Sequence, residues 1–300
     1  MPNIDSYFSG VSNRYKIMTL RSFPKNVADG QVVWFIDEKD LDNTLRNAKG
    51  VEALLSLSSD LIVVQLPLSR LTKIRSPQLA QLENNGLAKK DRVLVMCDDL
   101  KIENKYVELE TLIEDFLAYN LKKANGYSRF FAALGATSFE FKHENNEISE
   151  FSMELGAKID GLASKITDLD GNLKGNIKNT LKQIASINKN YNQHSFDKTE
   201  RIEKAEKILK ECGLEHDEIC KDTLSTAKDG LAELTALSLT MSNSSYKSKN
   251  LQAVLNMGLK IPNLSEVDSK QNASLISLKS KMEFAALVSD SFEFTLNVNF

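Results

Sequence analysis

The sequence predicts an α+β protein: an N-terminal α/β layer, then a curved antiparallel sheet of long amphipathic strands with a helical insertion. Three patterns predict this class. Before residue 135, short apolar runs alternate with helical spacing; after residue 136, runs with every second residue apolar dominate; and helical spacing at about 162–241 interrupts those runs. We therefore expect two domains, 1–135 and 136–300, with the insertion inside the second.

Composition places the chain among ordinary folded proteins. It has 300 residues, 42% hydrophobic and 26% charged, with a net charge of −3. No basic block indicates a nucleic-acid partner. The first residues lack a secretory pattern, no apolar run reaches the roughly 20 residues of a membrane-spanning helix, and the cysteines are too few for a disulfide framework. The expected location is the cytoplasm.

The N-terminal layer is predicted from uninterrupted apolar runs and the helices between them. Such runs, typical of strands buried on both faces, lie at 31–36, 61–66 and 92–97, and a looser alternation predicts a strand at 15–20. Helices are expected after Asp37, from Pro77 and over 107–121. Asn125-Gly126 predicts a break before another helix, and Gly135 ends that one. No strand precedes a glycine-rich phosphate turn, so we expect no cofactor.

Alternating apolar residues predict that 137–160 and 249–300 form one antiparallel sheet. The strands are expected at 137–143, 148–159, 251–261, 282–288 and 292–300. The residues expected to be buried are Phe139, Phe141, Phe151, Met153, Leu155, Phe284, Phe294, Leu296 and Val298. A competing interpretation extends the helical stripe back to Ile148 as a coiled coil. Gly156, Gly161 and the alternation favour the strand.

The insertion is predicted to consist of helices, with a polar linker at 188–197. Apolar residues recur three or four apart from Leu162 to Ile187, and Gly171 and Gly175 interrupt them, so we expect a break near Gly171 and low local stability. A second helix over 199–212 ends in a Schellman motif at Gly213. A third helix, from about 217 to 241, completes a helical hairpin.

Two groups of residues have the donor types of a metal site. Cys212, His216 and Cys220 are spaced four apart, as zinc ligands on one helix face would be, and Asp98 and Asp99 follow a predicted strand, as Mg²⁺ ligands do. Gly213 interrupts the first group, which lacks a fourth ligand nearby. The second has no phosphate-binding loop beside it. We expect neither group to bind a metal.

The order of elements after residue 137 bears on function. Amphipathic strands flanking a helical insertion resemble the pore-forming proteins of the perforin and gasdermin type, which implies helical segments that refold into membrane hairpins. A membrane-inserted strand alternates when extended, whereas 162–190 has helical spacing.

We therefore expect first a soluble, non-enzymatic protein that binds a protein partner or a second copy of itself. The helical insertion or a sheet edge would supply the contact surface. The insertion residues expected in that contact are Leu162, Ile166, Leu169, Leu173, Ile177 and Leu181. The alternatives are a latent pore-forming protein, the one case with a membrane as partner, and a nucleotide- or metal-dependent enzyme using the N-terminal layer.

Overall fold

The structure, a computed structural model, is a mixed α+β protein with antiparallel strand pairing, as predicted. It describes residues 17–18, 31–46, 50, 54, 61–66, 77–96, 106–143, 146–166, 171–187, 189–190, 197–230, 234, 236–241, 251, 254, 272–290, 292 and 294–300. The chain divides into two compact units. The first comprises Met1–Ile113, Ile159–Asp170 and Ser245–Ser289, and the second Glu114–Lys158, Gly171–Ser244 and Asp290–Phe300. The predicted domain boundary near residue 135 stays a prediction.

Two sheets contain the described strands. The strands are Ile17–Met18 (β1), Val32–Asp37 (β2), Leu61–Leu66 (β3), Val93–Met96 (β4), Tyr106–Glu108 (β5), Ser138–His143 (β6), Asn146–Glu147 (β7), Lys189–Asn190 (β8), Ala236–Met241 (β9) and Phe294–Asn299 (β10). The first unit has the order β1-β3-β2-β4-β5. The second has the order β7-β6-β10-β9, with β8 also paired to β6.

The longer described helices follow the same chain order. They are Glu38–Arg46 (α1), Pro77–Asn84 (α2), Leu109–Leu134 (α3), Ile148–Ala163 (α4), Gly171–Ile187 (α5), Lys198–Cys212 (α6), Glu218–Asp229 (α7) and Ala273–Asp290 (α8).

The sheet of the first unit confirms the prediction from uninterrupted apolar runs. Strands β1, β3 and β2 are parallel, and β4 is antiparallel to both β2 and β5. Every residue of β2 from Val32 to Ile36 is completely buried. Because successive side chains of a strand point to opposite faces, β2 is covered on both.

The sheet of the second unit confirms the alternation of the last residues. Strand β10 pairs antiparallel with both β6 and β9. Its side chains Phe294, Leu296 and Val298 are buried, whereas Thr295 and Asn297 are half-buried. The buried face continues onto β6, where the rings of Phe139 and Phe141 pack edge to face with their centroids 4.9 Å apart.

The predicted strand at 148–159 is wrong, because this segment forms α4. Leu155 and Ile159 are buried as expected, but Ala157 between them is exposed. A strand would have placed all three on one face, whereas residues four apart share a face of a helix. The competing helical interpretation is right for this segment, although α4 ends at Ala163 and α5 begins at Gly171. The side chains of Phe151 and Met153 lie outside the described residues.

The predicted strand at 282–288 is also wrong, because it lies within α8. Met282, Phe284, Ala285 and Val288 are all buried there, and so is Lys281. A helix buried all round satisfies an alternating pattern as well as a strand does. Of the predicted strand at 251–261, the two described residues, 251 and 254, are helical and the others lie outside the described residues. Within the described residues, the single predicted sheet therefore keeps β6, β7 and β10, and β8 and β9 also pair with these strands.

Helix α3 passes through Asn125-Gly126 without the predicted break and ends before Gly135, as predicted, where φ is +100°. A Cβ atom on Gly126 would lie 2.6 Å from Leu214 Cδ1 and 3.1 Å from Cys212 Cβ. Gly126 therefore permits a close contact with the end of α6 rather than ending a helix.

The helical hairpin has its predicted first turn but not its predicted end. Gly213 has φ 71° after α6, and the N–H of Leu214 donates to Leu209 O at 2.9 Å, which confirms the Schellman motif. The predicted third helix stops at Asp229, and 236–241 is strand β9. The leucines at 237 and 239 fit a strand period of two once β10 supplies the hydrogen-bond partners.

Candidate functional site

The apolar stripe predicted as a contact surface lies mostly inside the protein. Leu173, Ile177 and Leu181 of α5 are completely buried, and Ile166 is 7% exposed. Leu162 is half-buried, and residue 169 lies outside the described residues. The exposed face of α5 instead carries Asn172, Gly175, Asn176, Asn179, Lys182, Gln183 and Ser186. A contact made by α5 in this conformation would therefore use polar side chains.

The three residues considered for zinc occupy different environments. Cys212 is half-buried at the end of α6, His216 is exposed in the loop after Gly213, and Cys220 is completely buried in α7. Among the residues that the structure describes, no group of three or more His, Cys, Asp or Glu side chains is placed to hold a metal ion. Asp98 and Asp99 lie outside the described residues, so the expectation for them stays a prediction.

Cys220 belongs to a buried polar cluster in the second unit. Asp217 Oδ2 lies 3.1 Å from Lys123 Nζ and accepts a hydrogen bond from the Tyr127 hydroxyl at 2.8 Å. Asp217 Oδ1 accepts from the backbone N–H of Cys220 at 3.2 Å and so caps α7. Burial and the adjacent Asp217 carboxylate raise the pKa of the Cys220 thiol far above its ordinary value. The thiol stays protonated, which disfavours both nucleophilic attack and metal binding.

A second polar cluster lies at the carboxyl end of β2 in the first unit. Lys90 Nζ is 2.7 Å from both Asp37 Oδ2 and Asp40 Oδ2, and the Ser274 hydroxyl donates to Asp40 Oδ2 at 2.6 Å. Burial opposes ionisation of Asp37, but hydrogen bonds from Lys90 and from the backbone N–H of Asp40 hold its pKa below the ordinary value.

Open α/β sheets commonly bind ligands at such strand ends. Here Lys90 pairs with both carboxylates, Ser274 donates to Asp40, and Asp37 caps α1. The arrangement is therefore explained by the fold without a ligand.

Strand β9 is the last strand of the second sheet among the residues that the structure describes. Among the described strands it pairs with β10 alone. Its sequence, Ala-Leu-Ser-Leu-Thr-Met, contains no charged residue and no proline. Ala236, Ser238 and Thr240 are exposed, and Leu237 and Leu239 are half-buried. Natural edge strands usually carry charges, prolines or bulges that block further pairing, and β9 has neither of the first two.

The sequence analysis missed this edge because it extended a helix through the same residues. The signal that could have found it is the two-residue period of the leucines. No protein-family model, no curated protein and no solved structure matches the chain. In the part of the chain that the structure describes, every helix is too short or too polar to cross a membrane.

Proposed function

We propose that this protein associates with a second copy of itself by pairing its β9 strands antiparallel, which joins two sheets into one. The observation that carries the proposal is the uncharged, proline-free edge strand with exposed residues at 236, 238 and 240. Pairing satisfies the backbone N–H and C=O groups along that edge. The predicted curvature of the sheet stays a prediction, and the pairing does not depend on it.

A second copy suits this edge better than a charged partner. Two uncharged strands can pair without like-charge repulsion. A two-fold axis uses the same strand of both copies, so the assembly stops at a dimer. With Leu239 opposite its own copy, Ser238 lies opposite Thr240, so apolar residues face apolar and polar residues face polar positions. The strand has only six residues, so the interface is small compared with the roughly 1,200–2,000 Å² of a stable complex. We therefore expect a reversible dimer.

Size-exclusion chromatography with light scattering over a range of protein concentrations tests the proposal. The wild-type chain should move from monomer to dimer, and Thr240→Lys should remain monomeric because each copy brings a positive charge to the edge. Ser225→Lys places the same charge on an exposed position of α7 and should dimerise normally. Matching circular dichroism spectra would show that both variants fold.

Three outcomes contradict the proposal. A wild-type chain that stays monomeric at every concentration would exclude self-association. A dimer that survives Thr240→Lys would place the contact elsewhere. Capture of an extended peptide at β9 by a monomeric chain would show that the edge serves another protein instead.

The other two functions considered from the sequence have no comparable support. The resemblance to pore-forming proteins depended on the order of elements in residues 137–300, and two of the strands in that order, at 148–159 and 282–288, are helical. In the strand-end cluster, Lys90 pairs with both Asp37 and Asp40. No specific observation on the described residues therefore favours either function over self-association.

A further inference from the structure

Two helices of the second unit face each other across a cleft of about 370 Å³. Seven residues line it: Asn125, Ser128, Arg129 and Ala132 of α3, and Gln183, Ser186 and Ile187 of α5. On each helix these residues recur three or four apart, the spacing of a single face. Facing stripes of packed helices are normally apolar, yet five of these seven residues are polar. The sequence thus leaves a polar gap where packing would ordinarily close the helices together.

The chemistry of the cleft differs between its floor and its rim. Ser128 and Ile187 are buried, and Ala132 is half-buried. Asn125 and Gln183 are exposed, and their amides present both hydrogen-bond donors and acceptors. A volume of this size holds roughly ten water molecules at about 30 Å³ each. A ligand with several hydroxyl groups can replace such water without leaving the amides and hydroxyls unpaired.

Arg129 is the one charged residue among the seven that the structure places around the cleft. Its Nη2 lies 2.7 Å from Glu211 Oε2, and its Nη1 lies 3.7 Å from Cys212 Sγ. The side chains of Arg129 and Glu211 are 54% and 43% exposed, and exposed ion pairs are weak. A guanidinium has five N–H donors in a planar fork that suits a carboxylate. A carboxylate from a ligand can therefore compete with Glu211 for Arg129.

The surroundings favour a carboxylate over other charged groups. No acidic residue belongs to the seven lining residues that the structure describes, which disfavours an amine. The lining residues lie within helices, so their backbone N–H groups are used there and a phosphate would have one cation and no backbone cradle. Ala132 and Ile187 offer an apolar patch for the C–H face of a sugar ring.

We propose that this cleft binds a small carboxylate that carries several hydroxyl groups, such as a sugar acid. Its carboxylate pairs with Arg129, and its hydroxyls bond with the amides of Asn125 and Gln183 and donate to Ser186 Oγ, which itself donates to Gln183 O at 2.7 Å. The proposal is independent of self-association, because no residue of β9 lines the cleft.

Titration with D-glucuronate, followed by calorimetry and by the melting temperature, tests the site. Glucuronate should bind saturably and raise the melting temperature, because a ligand that binds only the native state stabilises it. D-glucose, which lacks the carboxylate, should bind at least about ten-fold more weakly, as expected for loss of a charge-assisted hydrogen bond. Inorganic phosphate should not compete. Absence of saturable glucuronate binding, or tighter binding of phosphate, overturns the proposal.

Opposite effects of two substitutions separate a binding site from a surface ion pair. Arg129→Gln should abolish glucuronate binding, whereas Glu211→Gln should strengthen it several-fold by removing the competing carboxylate. Lys228→Gln is the matched control, because Lys228 forms a similarly exposed pair with Glu206 at 2.7 Å and should leave binding unchanged. Ala132→Leu should block binding by filling the floor. If Arg129→Gln and Ala132→Leu bind glucuronate normally, or if Glu211→Gln binds it as poorly as Arg129→Gln should, the assignment is wrong.

Discussion

The central strands of the two sheets differ in how far their two faces are buried. In β2 of the first unit, Val33 and Trp34 point to opposite faces and both are completely buried. In β10 of the second unit, Leu296 is completely buried and its neighbour Asn297 is half-buried. A polar side chain can therefore be accommodated on one face of the second sheet and on neither face of β2. The difference explains why the first sheet has an uninterrupted apolar sequence and the second an alternating one.

Each unit also buries a lysine against a carboxylate. The two carboxylates differ in how many of their oxygens accept a hydrogen bond. Lys123 and Lys281 are both 3% exposed, and each lies 3.1 Å from a carboxylate oxygen, of Asp217 and Glu110 respectively. Asp217 accepts hydrogen bonds at both of its oxygens. Glu110 Oε2 has no hydrogen-bond partner within the described residues, whereas Lys281 also donates to the backbone oxygen of Asp91 at 3.0 Å.

The largest expected effect concerns these lysines. Asp217→Ala should lower the free energy of unfolding of the second unit by about 3–5 kcal/mol, because Lys123 loses the carboxylate that compensates its buried charge and Tyr127 and α7 lose their hydrogen bonds to Asp217. Glu110→Ala should lower the free energy of unfolding of the first unit by a smaller amount, because Lys281 keeps its hydrogen bond to Asp91 O. Urea unfolding followed by circular dichroism measures the first change. Trp34, the only tryptophan in the chain, reports the second by its fluorescence.

A double variant provides the control for this prediction. Asp217→Ala combined with Lys123→Met removes both charges and should recover much of the lost stability. If the double variant is as unstable as Asp217→Ala alone, the stranded charge is not the cause.

The next effect tests the difference between the two sheets. Val33→Asn should destabilise the first unit by about 2–4 kcal/mol, because it buries an amide without a partner. Asn297→Val should change the second unit by about 1 kcal/mol or less, since the side chain is half-buried and loses one hydrogen bond, the one from Ser238. Denaturant unfolding with Trp34 fluorescence and circular dichroism measures both. Equal losses at the two positions would contradict the distinction between covered and half-covered sheets.

A smaller effect separates two glycines within helices of the second unit. Gly126→Ala should destabilise by about 1–3 kcal/mol, because its Cβ would overlap Leu214. Gly175→Ala should stabilise by about 0.5–1 kcal/mol, since nothing lies within 4 Å of the new atom and alanine favours a helix.

Thermal unfolding shows whether each variant lowers or raises the melting temperature, as expected for Gly126→Ala and Gly175→Ala respectively. Hydrogen exchange of the wild-type chain should also show weaker protection at 171–187 than at 294–299, because glycine weakens α5 locally. Protection of α5 equal to that of β10 would show that this helix belongs to the cooperative core.

The smallest effect is a dependence on pH in the first unit. The pKa of Asp37 is held below its ordinary value of 3.8. Asp37 therefore adds stability that is fully present above its unfolded pKa and is lost as the pH falls through the lower folded pKa. Because Lys90 and Asp37 are 47% and 34% exposed, the loss should be modest. Trp34-monitored unfolding from neutral pH to about pH 3 should show a shallower dependence in Lys90→Gln than in wild type; identical slopes would exclude this pair as the source.

Local sequence patterns determined the elements whose surroundings are uniform along their length. The apolar runs specified β2, β3 and β4, and alternation specified β6 and β10, because each pattern matches one way of covering a strand. Local chemistry also specified two chain turns. Gly135 and Gly213 both adopt the positive φ that glycine tolerates best, and each follows the end of a helix.

Tertiary structure decided the secondary structure of segments whose apolar patterns fit both a helix and a strand. Helix α8 is buried on nearly every side, so its alternation carried no information about secondary structure. The leucines of β9 fit a helix until β10 supplies their hydrogen-bond partners from 50 or more residues away.

The same holds for the candidate sites. The edge at β9 and the cleft beside Arg129 are made of residues that are ordinary in sequence and distinctive only once α3, α5 and β10 are in place. The sequence determined which residues seek burial. Only packing decided which backbone groups and side chains stay available for binding. Their possible partners within the protein lie far apart in the chain, so the local sequence does not reveal them.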